Sequence, residues 1–295
     1  MQIAPIPTLS EEINDIRLRT ADIVGNRIIP NEGVIYSGGE KSAKLRKEIR
    51  EEVKKQALWA PHLPEEYGGM GNGFLTHAYM NEILAWSPLG NRLFGVIAPN
   101  SGNQKILVKY GTEEQKKKWL IPLINQEMES GFSMTEPDVP GSDPRQLQTK
   151  AVRDGDEWVI NGHKIMTSNG QRADFLVVMC RTEDDDTGNE NLKMTQIIVP
   201  TDTPGVERIR SVPIWGHTGG DHMEIKYKDV RVPVENALGE RGSGHQAAQD
   251  RLGAGRVYHC MNTIGQMWRA FDIMVKYSTQ REVHGGKLET KQFMQ

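Results

Sequence analysis

The periodicity of the chain changes near Ser130 and again near Glu240, and these two changes limit the folds available to it. Before Ser130, apolar side chains recur at helical intervals, as at Leu45, Ile49 and Val53. From Ser130 to Glu240, short apolar runs alternate with turn residues, which is typical of strands. Helical spacing then returns. The chain therefore belongs to the α+β class, with helices, strands and helices in that order.

These changes predict three domains. The first is an N-terminal all-α domain over residues 1–130. The second is a middle antiparallel β-barrel or sandwich over 131–240. The third, over 241–295, is the beginning of a C-terminal helical bundle. Its apolar spacing predicts one long helix with a broad buried stripe. Such a stripe must be covered by the N-terminal helices, by a partner subunit, or by chain beyond this sequence.

Composition excludes several classes of protein. Of the 295 residues, 37% are hydrophobic and 25% charged, and the formal net charge of -3 argues against a broad attraction to nucleic acid or to an anionic membrane. No apolar run approaches the ~18 residues of a membrane span. The N-terminus lacks the basic start and apolar core of a secretory signal. We therefore expect a cytoplasmic location, with an organelle matrix left open.

The cysteines and the acidic run do not indicate a metal site. Cys180 and Cys260 form no CxxC pair, and the chain has no HExxH motif. Cys180 lies within an apolar run, so we expect a small buried side chain. The acidic residues 183–186, followed by Thr187-Gly188-Asn189, are interpreted as a solvated loop between strands. No metal ligand is predicted.

Two segments of the strand region have distinctive sequences. Residues 131–137 read GFSMTEP and are followed by GSDP at 141–144, while residues 161–170 read NGHKIMTSNG. Proline and glycine keep the first segment open, so that its backbone N–H groups can face a ligand. The pair resembles the acyl-CoA dehydrogenase family, whose middle domain carries an M-T-E-P…G-S-D loop and a later N-G-x-K…[ST]-N strand and turn.

Further landmarks of that family follow in the same order. They are LPEEYGG at 63–69, YGTEEQ at 110–115, VRVP at 230–233, NALG at 236–239 and QREVHG at 280–285. The resemblance runs from about residue 8 to the last residue. GSDP and the sequence RLGAGR at 251–256 make the branch of family members ten and eleven the most similar, here with no phosphotransferase-like domain attached.

The resemblance implies a fold, a cofactor and a reaction. The expected enzyme is an FAD-dependent acyl-CoA dehydrogenase, in which a carboxylate takes the α-proton of an acyl thioester and the β-hydride goes to flavin N5. Its substrate would be an acyl-CoA, and its electron acceptor an electron-transfer flavoprotein. The chain would assemble as a homodimer or homotetramer, with no nucleic acid and no membrane span.

The resemblance also implies site residues. It places the Thr135 hydroxyl near flavin N1 and O2 and the Ser168 hydroxyl near N5. Met166 replaces an aromatic residue that usually stacks on the ring, and a thioether can pack there. The implied cofactor-binding residues are Phe132, Met134, Thr135, Gly141, Ser142, Met166, Thr167, Ser168, Arg281 and Gln292, of which the last two would reach the FAD of a neighbouring subunit. The implied substrate-binding residues are Ser142, Gly253 and Arg256.

No residue of the chain matches the family's catalytic base. The usual glutamate is expected beyond Gln295, and a minority position on the long helix is Gly255 here. Glu136 lies within the flavin motif and is interpreted as structural. The chain is therefore expected to be a shortened dehydrogenase that, as written, binds FAD weakly at best and dehydrogenates poorly or not at all. A flavin oxidase or monooxygenase of the same fold, or a non-catalytic protein that binds acyl-CoA or flavin, remains an alternative.

Overall fold

The computed structural model describes residues 1, 3–182, 190–214 and 222–294. The chain forms two compact units, Met1–Val96 with Ala254–Gln295, and Ile97–Gly253. The predicted α+β class and the order of helices, strands and helix are confirmed. The acidic run at 183–186 and the residues 187–189 lie outside the described residues, so the loop predicted there stays a prediction.

The first unit is helical. Its apolar side chains recur at three- and four-residue spacing, so each helix buries one face. The N-terminus of the first helix is capped by Ser10, whose Oγ accepts a hydrogen bond from the backbone N–H of Ile13 at 3.3 Å. The helices that begin in this unit are α1 (Glu11–Ile23), α2 (Glu32–Tyr36), α3 (Gly39–Lys55), α4 (Gly73–Leu84) and α5 (Gly90–Leu93).

The long helix α9 spans Gly244–Gln280. Its residues up to Gly253 belong to the second unit, and those from Ala254 onward belong to the first. Within the first unit it lies on α4, where Asn81 Nδ2 donates to the Tyr258 carbonyl at 2.7 Å. Further along, Arg269 donates to the Trp86 carbonyl at 2.9 Å and to a Glu32 carboxylate oxygen at 3.1 Å. The N-terminal helices thus hold one side of α9.

Much of the predicted apolar stripe on α9 is not buried in this chain. Met267 is 65% exposed and Phe271 52% exposed, and Ile264 and Met274 are also exposed. Of the predicted covers, the N-terminal helices therefore do not bury the stripe at these positions. The periodicity located the helix correctly, but periodicity does not determine how much of an apolar face is covered by the same chain.

At Gly265, α9 packs closely against α4. A Cβ added there would lie 2.0 Å from the Glu82 carbonyl oxygen and 2.9 Å from the Ala85 Cβ. We expect Gly265→Ala to lower the free energy of unfolding by about 1–3 kcal/mol, because the helices must separate. Gly255→Ala, on the same helix with no atom within 4 Å, should raise it by about 0.5–1 kcal/mol. Urea denaturation measures both, and equal effects would contradict the packing described.

The second unit combines short helices with a sheet. Its helices are α6 (Asn100–Tyr110), α7 (Glu113–Gln115) and α8 (Ile121–Asn125). Thr112 and Gln115 form a capping box at the start of α7. The strands of this unit are β1 (Ser130–Ser133), β2 (Lys150–Asp154), β3 (Glu157–Ser168), β4 (Phe175–Arg181), β5 (Met194–Pro200), β6 (Val206–Ser211), β7 (His222–Pro233) and β8 (Ala237–Leu238).

Among the described residues these strands form an eight-stranded sheet in the order β6-β7-β3-β1-β4-β5-β8, with β2 paired to β3 and β4. One face buries an apolar cluster that includes Trp158, Leu176, Ile197 and Ile225. Most pairs are antiparallel, as predicted, and β2 has a single parallel pairing with β4, between Lys150 and Arg181. β1 runs parallel to β4 along its whole length, which the prediction did not include. The β2–β3 hairpin lies between them in the chain and provides the long crossover that a parallel pair requires.

After α9 the chain turns back as a hairpin of β9 (Glu282–Val283) and β10 (Gly286–Lys287). His284 and Gly285 form its turn, both with positive φ, at 46° and 75°. None of the described helices combines the length and the hydropathy needed to cross a bilayer. Cys180 is buried as predicted, and burial raises the pKa of its thiol to about 12.

Candidate functional site

The two distinctive segments of the sequence meet in the second unit. Phe132 on β1 pairs with Ser168 at the end of β3. Just beyond β1, the Thr135 hydroxyl donates to the Ile165 carbonyl at 2.7 Å, and the Ile165 N–H donates to the Thr135 carbonyl at 2.9 Å. The loop that follows β1 therefore runs beside the last residues of β3, although the two segments are about thirty residues apart in sequence.

Met166 presents its side chain outward at this junction. Its φ of 60° lies in the left-handed region, which is unfavourable for a residue with a Cβ. The same residue lies in a register shift between Lys164 and Thr167, where β3 bulges relative to β7. The side chain is 41% exposed. The bulge therefore places a flexible apolar side chain at the surface beside the loop.

Thr167 and Ser168 point to opposite faces of the sheet. The Thr167 hydroxyl is buried 3.0 Å from Ser133 Oγ, which also accepts a hydrogen bond from the Tyr227 hydroxyl at 2.9 Å. Ser168 Oγ lies instead 2.9 Å from His222 Nδ1. Of the two predicted cofactor-binding residues, Thr167 can therefore contribute only its backbone, whereas Ser168 can offer a hydroxyl.

The loop folds back on itself at Gly141. A Cβ there would approach the Thr135 Cγ2 to 3.1 Å, so a larger residue would press on Thr135. Ser142 follows and is exposed. Hydrogen bonds from Arg145 and Gln146 hold the pKa of the Asp143 carboxyl below its usual range. Gly141 thus keeps the loop close to Thr135 and leaves Ser142 at the surface.

Glu136 is a buried anchor beneath the loop. Its carboxylate accepts hydrogen bonds from Gln148 N at 2.7 Å, Thr149 N at 2.9 Å, Thr149 Oγ1 at 2.6 Å and Lys164 Nζ at 2.9 Å. Lys164 Nζ also donates to the Met134 carbonyl at 2.8 Å. Burial alone raises the pKa of Glu136, but the charge of Lys164 and these hydrogen bonds outweigh burial and leave the pKa below its ordinary value. Both carboxylate oxygens are occupied, which supports a structural role.

A guanidinium that the sequence did not reveal lies over Phe132. Arg251, near the start of α9, is 4.0 Å from the Phe132 ring centroid and donates from Nε to Asn103 Oδ1 at 3.2 Å. A Cβ at Gly102 would lie 2.7 Å from that Nε, so the guanidinium fits between a glycine and an aromatic ring. Burial lowers the pKa of Arg251 to about 10. The sequence cannot distinguish this partly buried arginine from a surface one, because its contacts with Phe132, Asn103 and Gly102 are to residues distant from it in the chain.

The remaining predicted residues are divided between the units. Gly253 is exposed at the end of the second unit. Arg256, Arg281 and Gln292 belong to the first unit and are exposed there. Arg281 is anchored through its backbone, whose N–H donates to the Tyr277 carbonyl at 2.9 Å. The roles of these four residues in ligand binding stay predictions.

Three family models match consecutive parts of the chain. Residues 10–127 match the acyl-CoA dehydrogenase N-terminal domain, 131–230 the middle domain and 242–295 the C-terminal domain.

The chain belongs to the acyl-CoA dehydrogenase family.

Its sequence is similar to several longer members of this family. Probable acyl-CoA dehydrogenase FadE2 from Mycobacterium tuberculosis is 41% identical over 245 residues, which are 82% of this chain and 59% of FadE2. Acyl-CoA dehydrogenase family member 10 from Mus musculus is 37% identical, over 83% of this chain and 24% of that protein. Family member 11 from Gallus gallus is 38% identical, over 84% of this chain and 32% of that protein. The chain thus spans about three fifths of FadE2 and a third or less of the other two.

Solved acyl-CoA dehydrogenase structures share the fold. A putative acyl-CoA dehydrogenase from Mycobacterium abscessus superposes with a TM-score of 0.86 at 28% identity, over 99% of this chain and 75% of that one. A glutaryl-CoA dehydrogenase from Mycobacterium smegmatis, solved in complex with FADH2, superposes with a TM-score of 0.76 at 26% identity, over 97% of this chain and 70% of that one. The fold of an acyl-CoA dehydrogenase is therefore present in this chain.

The junction of the two segments suits a flavin ring. Met166 offers a polarisable apolar surface, and the hydroxyls of Thr135 and Ser168 lie on the elements that meet there. The strained φ of Met166 is consistent with a ligand-binding position, because such backbone conformations cluster at these sites. The residues present thus fit an isoalloxazine, with polar atoms for its heteroatoms and an apolar side chain for its face.

Proposed function

We propose that the chain is an FAD-dependent acyl-CoA dehydrogenase that removes two hydrogens from the α and β carbons of an acyl-CoA thioester. The observation that carries this proposal is the meeting of the two flavin-type segments, fixed by the paired hydrogen bonds between Thr135 and Ile165 and by the pairing of Phe132 with Ser168. A different placement of either segment would have left no common surface for a ring.

The proposed roles follow the position of each group. Ser168 would place its hydroxyl at flavin N5, and Met166 would cover one face of the ring. Thr135 would lie at N1 and O2, where its hydroxyl can donate only by releasing the Ile165 carbonyl. Backbone and side-chain contacts to the same cofactor would come from Phe132, Met134, Gly141, Ser142 and Thr167, the last through its backbone. Ser142, Gly253 and Arg256 would contact acyl-CoA, and Arg281 and Gln292 the FAD of a neighbouring subunit.

The bound FAD would supply the acceptor for the β-hydride. The chain's own groups orient that acceptor through Thr135 and Ser168, and the buried Glu136–Lys164 pair holds the loop that carries Thr135. Loss of the α-proton requires hydrogen bonds to the thioester carbonyl, because negative charge develops there. A carboxylate must also reach the α-carbon, and Glu136 is unsuited because both its oxygens are already used.

The wider setting is proposed on the same resemblance. An electron-transfer flavoprotein would accept the electrons, and the protein would work as a homodimer or homotetramer in the cytoplasm. The chain would divide into helical, β and helical domains at about residues 130 and 240. Crosslinking in solution and sedimentation velocity would test the assembly.

Flavin titration followed by substrate addition tests the function. FAD at saturating concentration should bind to the purified chain. Acyl-CoAs of several lengths, added anaerobically, should bleach its absorbance slowly, because no residue matches the family's base, and faster in a Gly255→Glu variant that supplies a carboxylate. Bleaching that occurs only with oxygen consumption would instead favour an oxidase. An absorbance unchanged by every acyl-CoA in both the chain and the Gly255→Glu variant, with FAD at saturation, would contradict the dehydrogenase.

Met166→Gly should have opposite effects on folding and on cofactor binding. Removing the Cβ relieves the left-handed backbone, so the free energy of unfolding without FAD should rise by about 1 kcal/mol. Loss of the thioether contact should weaken FAD binding by roughly 2- to 10-fold, which corresponds to about 0.3–1.5 kcal/mol. Urea denaturation and flavin fluorescence measure the two quantities.

Gln126→Gly is the matched control. Gln126 has nearly the same φ, 62°, ends α8 in the same unit and belongs to neither segment of the proposed site. It should gain similar stability with an unchanged affinity for FAD. Equal affinities for FAD in the Met166→Gly variant and the control would remove Met166 from the cofactor site.

A further inference from the structure

Ser168 has a histidine partner in the next strand. In the pairing of β3 with β7, Ser168 lies opposite His222, and in the pairing of β1 with β3 it lies opposite Phe132. Directly paired residues project to the same face of a sheet, so the three side chains form a row across three neighbouring strands. Ser168 Oγ and His222 Nδ1 are 2.9 Å apart, a hydrogen-bond distance.

The direction of this hydrogen bond depends on the imidazole. A serine hydroxyl has one proton to donate and lone pairs that accept. A neutral imidazole carries its proton on one nitrogen only, so Nδ1 is either a donor or an acceptor. If Nδ1 accepts, the Ser168 proton is used and its oxygen can only accept from a further partner. If Nδ1 donates, the Ser168 proton remains free for that partner.

A flavin N5 requires different partners in its two oxidation states. Oxidised N5 has a lone pair and accepts a hydrogen bond, whereas reduced N5–H donates one. A hydroxyl whose proton is held by His222 is therefore suited to the reduced ring and poorly suited to the oxidised ring. The other tautomer has the reverse preference.

We propose that His222 is a positioning residue that takes the Ser168 proton at Nδ1 and thereby makes this hydroxyl favour reduced over oxidised flavin. The inference rests on the proposed function, since it assumes that Ser168 faces N5. The other histidine near this end of β3 is engaged elsewhere: His163 Nε2 lies 2.8 Å from a Glu224 oxygen, and Arg210 donates to the other oxygen of that carboxylate at 2.7 Å. His163 is thus the matched control.

The cofactor-free protein gives the first test. In a 15N-histidine NMR spectrum at about pH 8, where an ordinary imidazole is neutral, Nδ1 of His222 should show the shift of an unprotonated, hydrogen-bonded nitrogen. Ser168→Ala should move that shift toward the value of a free acceptor, while His163→Asn should leave it in place. A protonated Nδ1, or a shift unaffected by Ser168→Ala, would overturn the proposal.

The second test compares the affinities for oxidised and reduced FAD. His222→Phe should weaken binding of reduced FAD relative to oxidised FAD by about tenfold, which lowers the two-electron midpoint potential by about 30 mV. His222→Asn should restore the relative affinity for reduced FAD, because its amide oxygen lies near the position of Nδ1 and can accept the Ser168 hydrogen bond. If the phenylalanine variant does not fold, His222→Gln replaces it, since its amide lies near the position of Nε2 and should not restore the ratio.

The outcomes separate this inference from the proposed function. The inference is supported if the affinity for reduced FAD, divided by the affinity for oxidised FAD, falls in His222→Phe or His222→Gln. The same ratio should recover in His222→Asn and stay unchanged in His163→Asn. FAD binding with the same ratio in every variant overturns the role of His222 alone. Failure of the wild-type chain to bind either form of FAD overturns both proposals.

Discussion

Lys164→Met is expected to lower the free energy of unfolding by about 3–5 kcal/mol, because it leaves the Glu136 carboxylate buried without its cation. Lys164 is fully buried, and its ammonium lies 2.9 Å from a Glu136 oxygen. It also donates to the Met134 carbonyl, so its loss removes a second anchor of the loop. Urea denaturation at neutral pH, followed by circular dichroism, measures the change.

Two variants serve as controls for the Lys164→Met prediction. Lys228→Met removes a surface ion pair with Glu207 at a similar distance, 2.8 Å, and should cost no more than about 1 kcal/mol. The double variant Glu136→Gln with Lys164→Met should recover part of the loss, because no charge is then left unpaired. A loss for Lys164→Met as small as that for Lys228→Met would show that the buried pair contributes little.

The same pair gives the stability a pH dependence of known sign. The pKa of Glu136 is lower in the folded chain than its unfolded value of about 4.3. Its contribution to stability is therefore fully present above that value and is lost as the pH falls through the folded pKa. In Lys164→Met, burial without the cation should raise the pKa of Glu136. The difference in free energy of unfolding between the wild-type chain and Lys164→Met should then shrink as the solution is acidified.

Gly255→Glu is expected to increase the rate of acyl-CoA-dependent flavin bleaching by about 10²- to 10⁴-fold, the usual contribution of a positioned general base. In the family resemblance, Gly255 matches a position where some members carry the base. No atom lies within 4 Å of a Cβ at this residue, so the side chain can be added without displacing its surroundings. Anaerobic single-turnover absorbance with saturating FAD measures the rate.

Gly255→Gln is the control for that experiment. It has nearly the size and helix propensity of glutamate but cannot take a proton at neutral pH. Both variants should gain similar stability over glycine, and only the glutamate variant should gain rate. Equal rates in the two variants would mean that position 255 does not reach the α-carbon of the substrate.

The sequence was most informative where periodicity and composition act locally. The alternation of apolar runs and turns predicted the strands between Ser130 and Glu240, and the spacing after Gln246 predicted α9. The exposure of α9 and the parallel pairing of β1 with β4 were not predicted. Both depend on which distant segment lies alongside, and a periodic pattern contains no such information.

The same limit applies within the candidate site. The motifs identified the loop at 132–142 and the strand end at 166–168, and the structure brings these two segments together. The sequence could not show that Thr167 faces inward, since a bulge at Met166 changes the alternation of side chains along the strand. Nor could it connect Arg251 to Phe132, which lie on different elements.

The anchoring of the loop by Glu136 has a consequence for binding. Its carboxylate is tied to the backbone of Gln148 and Thr149, and through Lys164 to the carbonyl of Met134. Conformational freedom in this stretch is therefore given up during folding, before any ligand arrives, and little remains to be lost on association. Residues such as Thr149, which need never touch the ligand, can thus influence its affinity by keeping the receptor rigid.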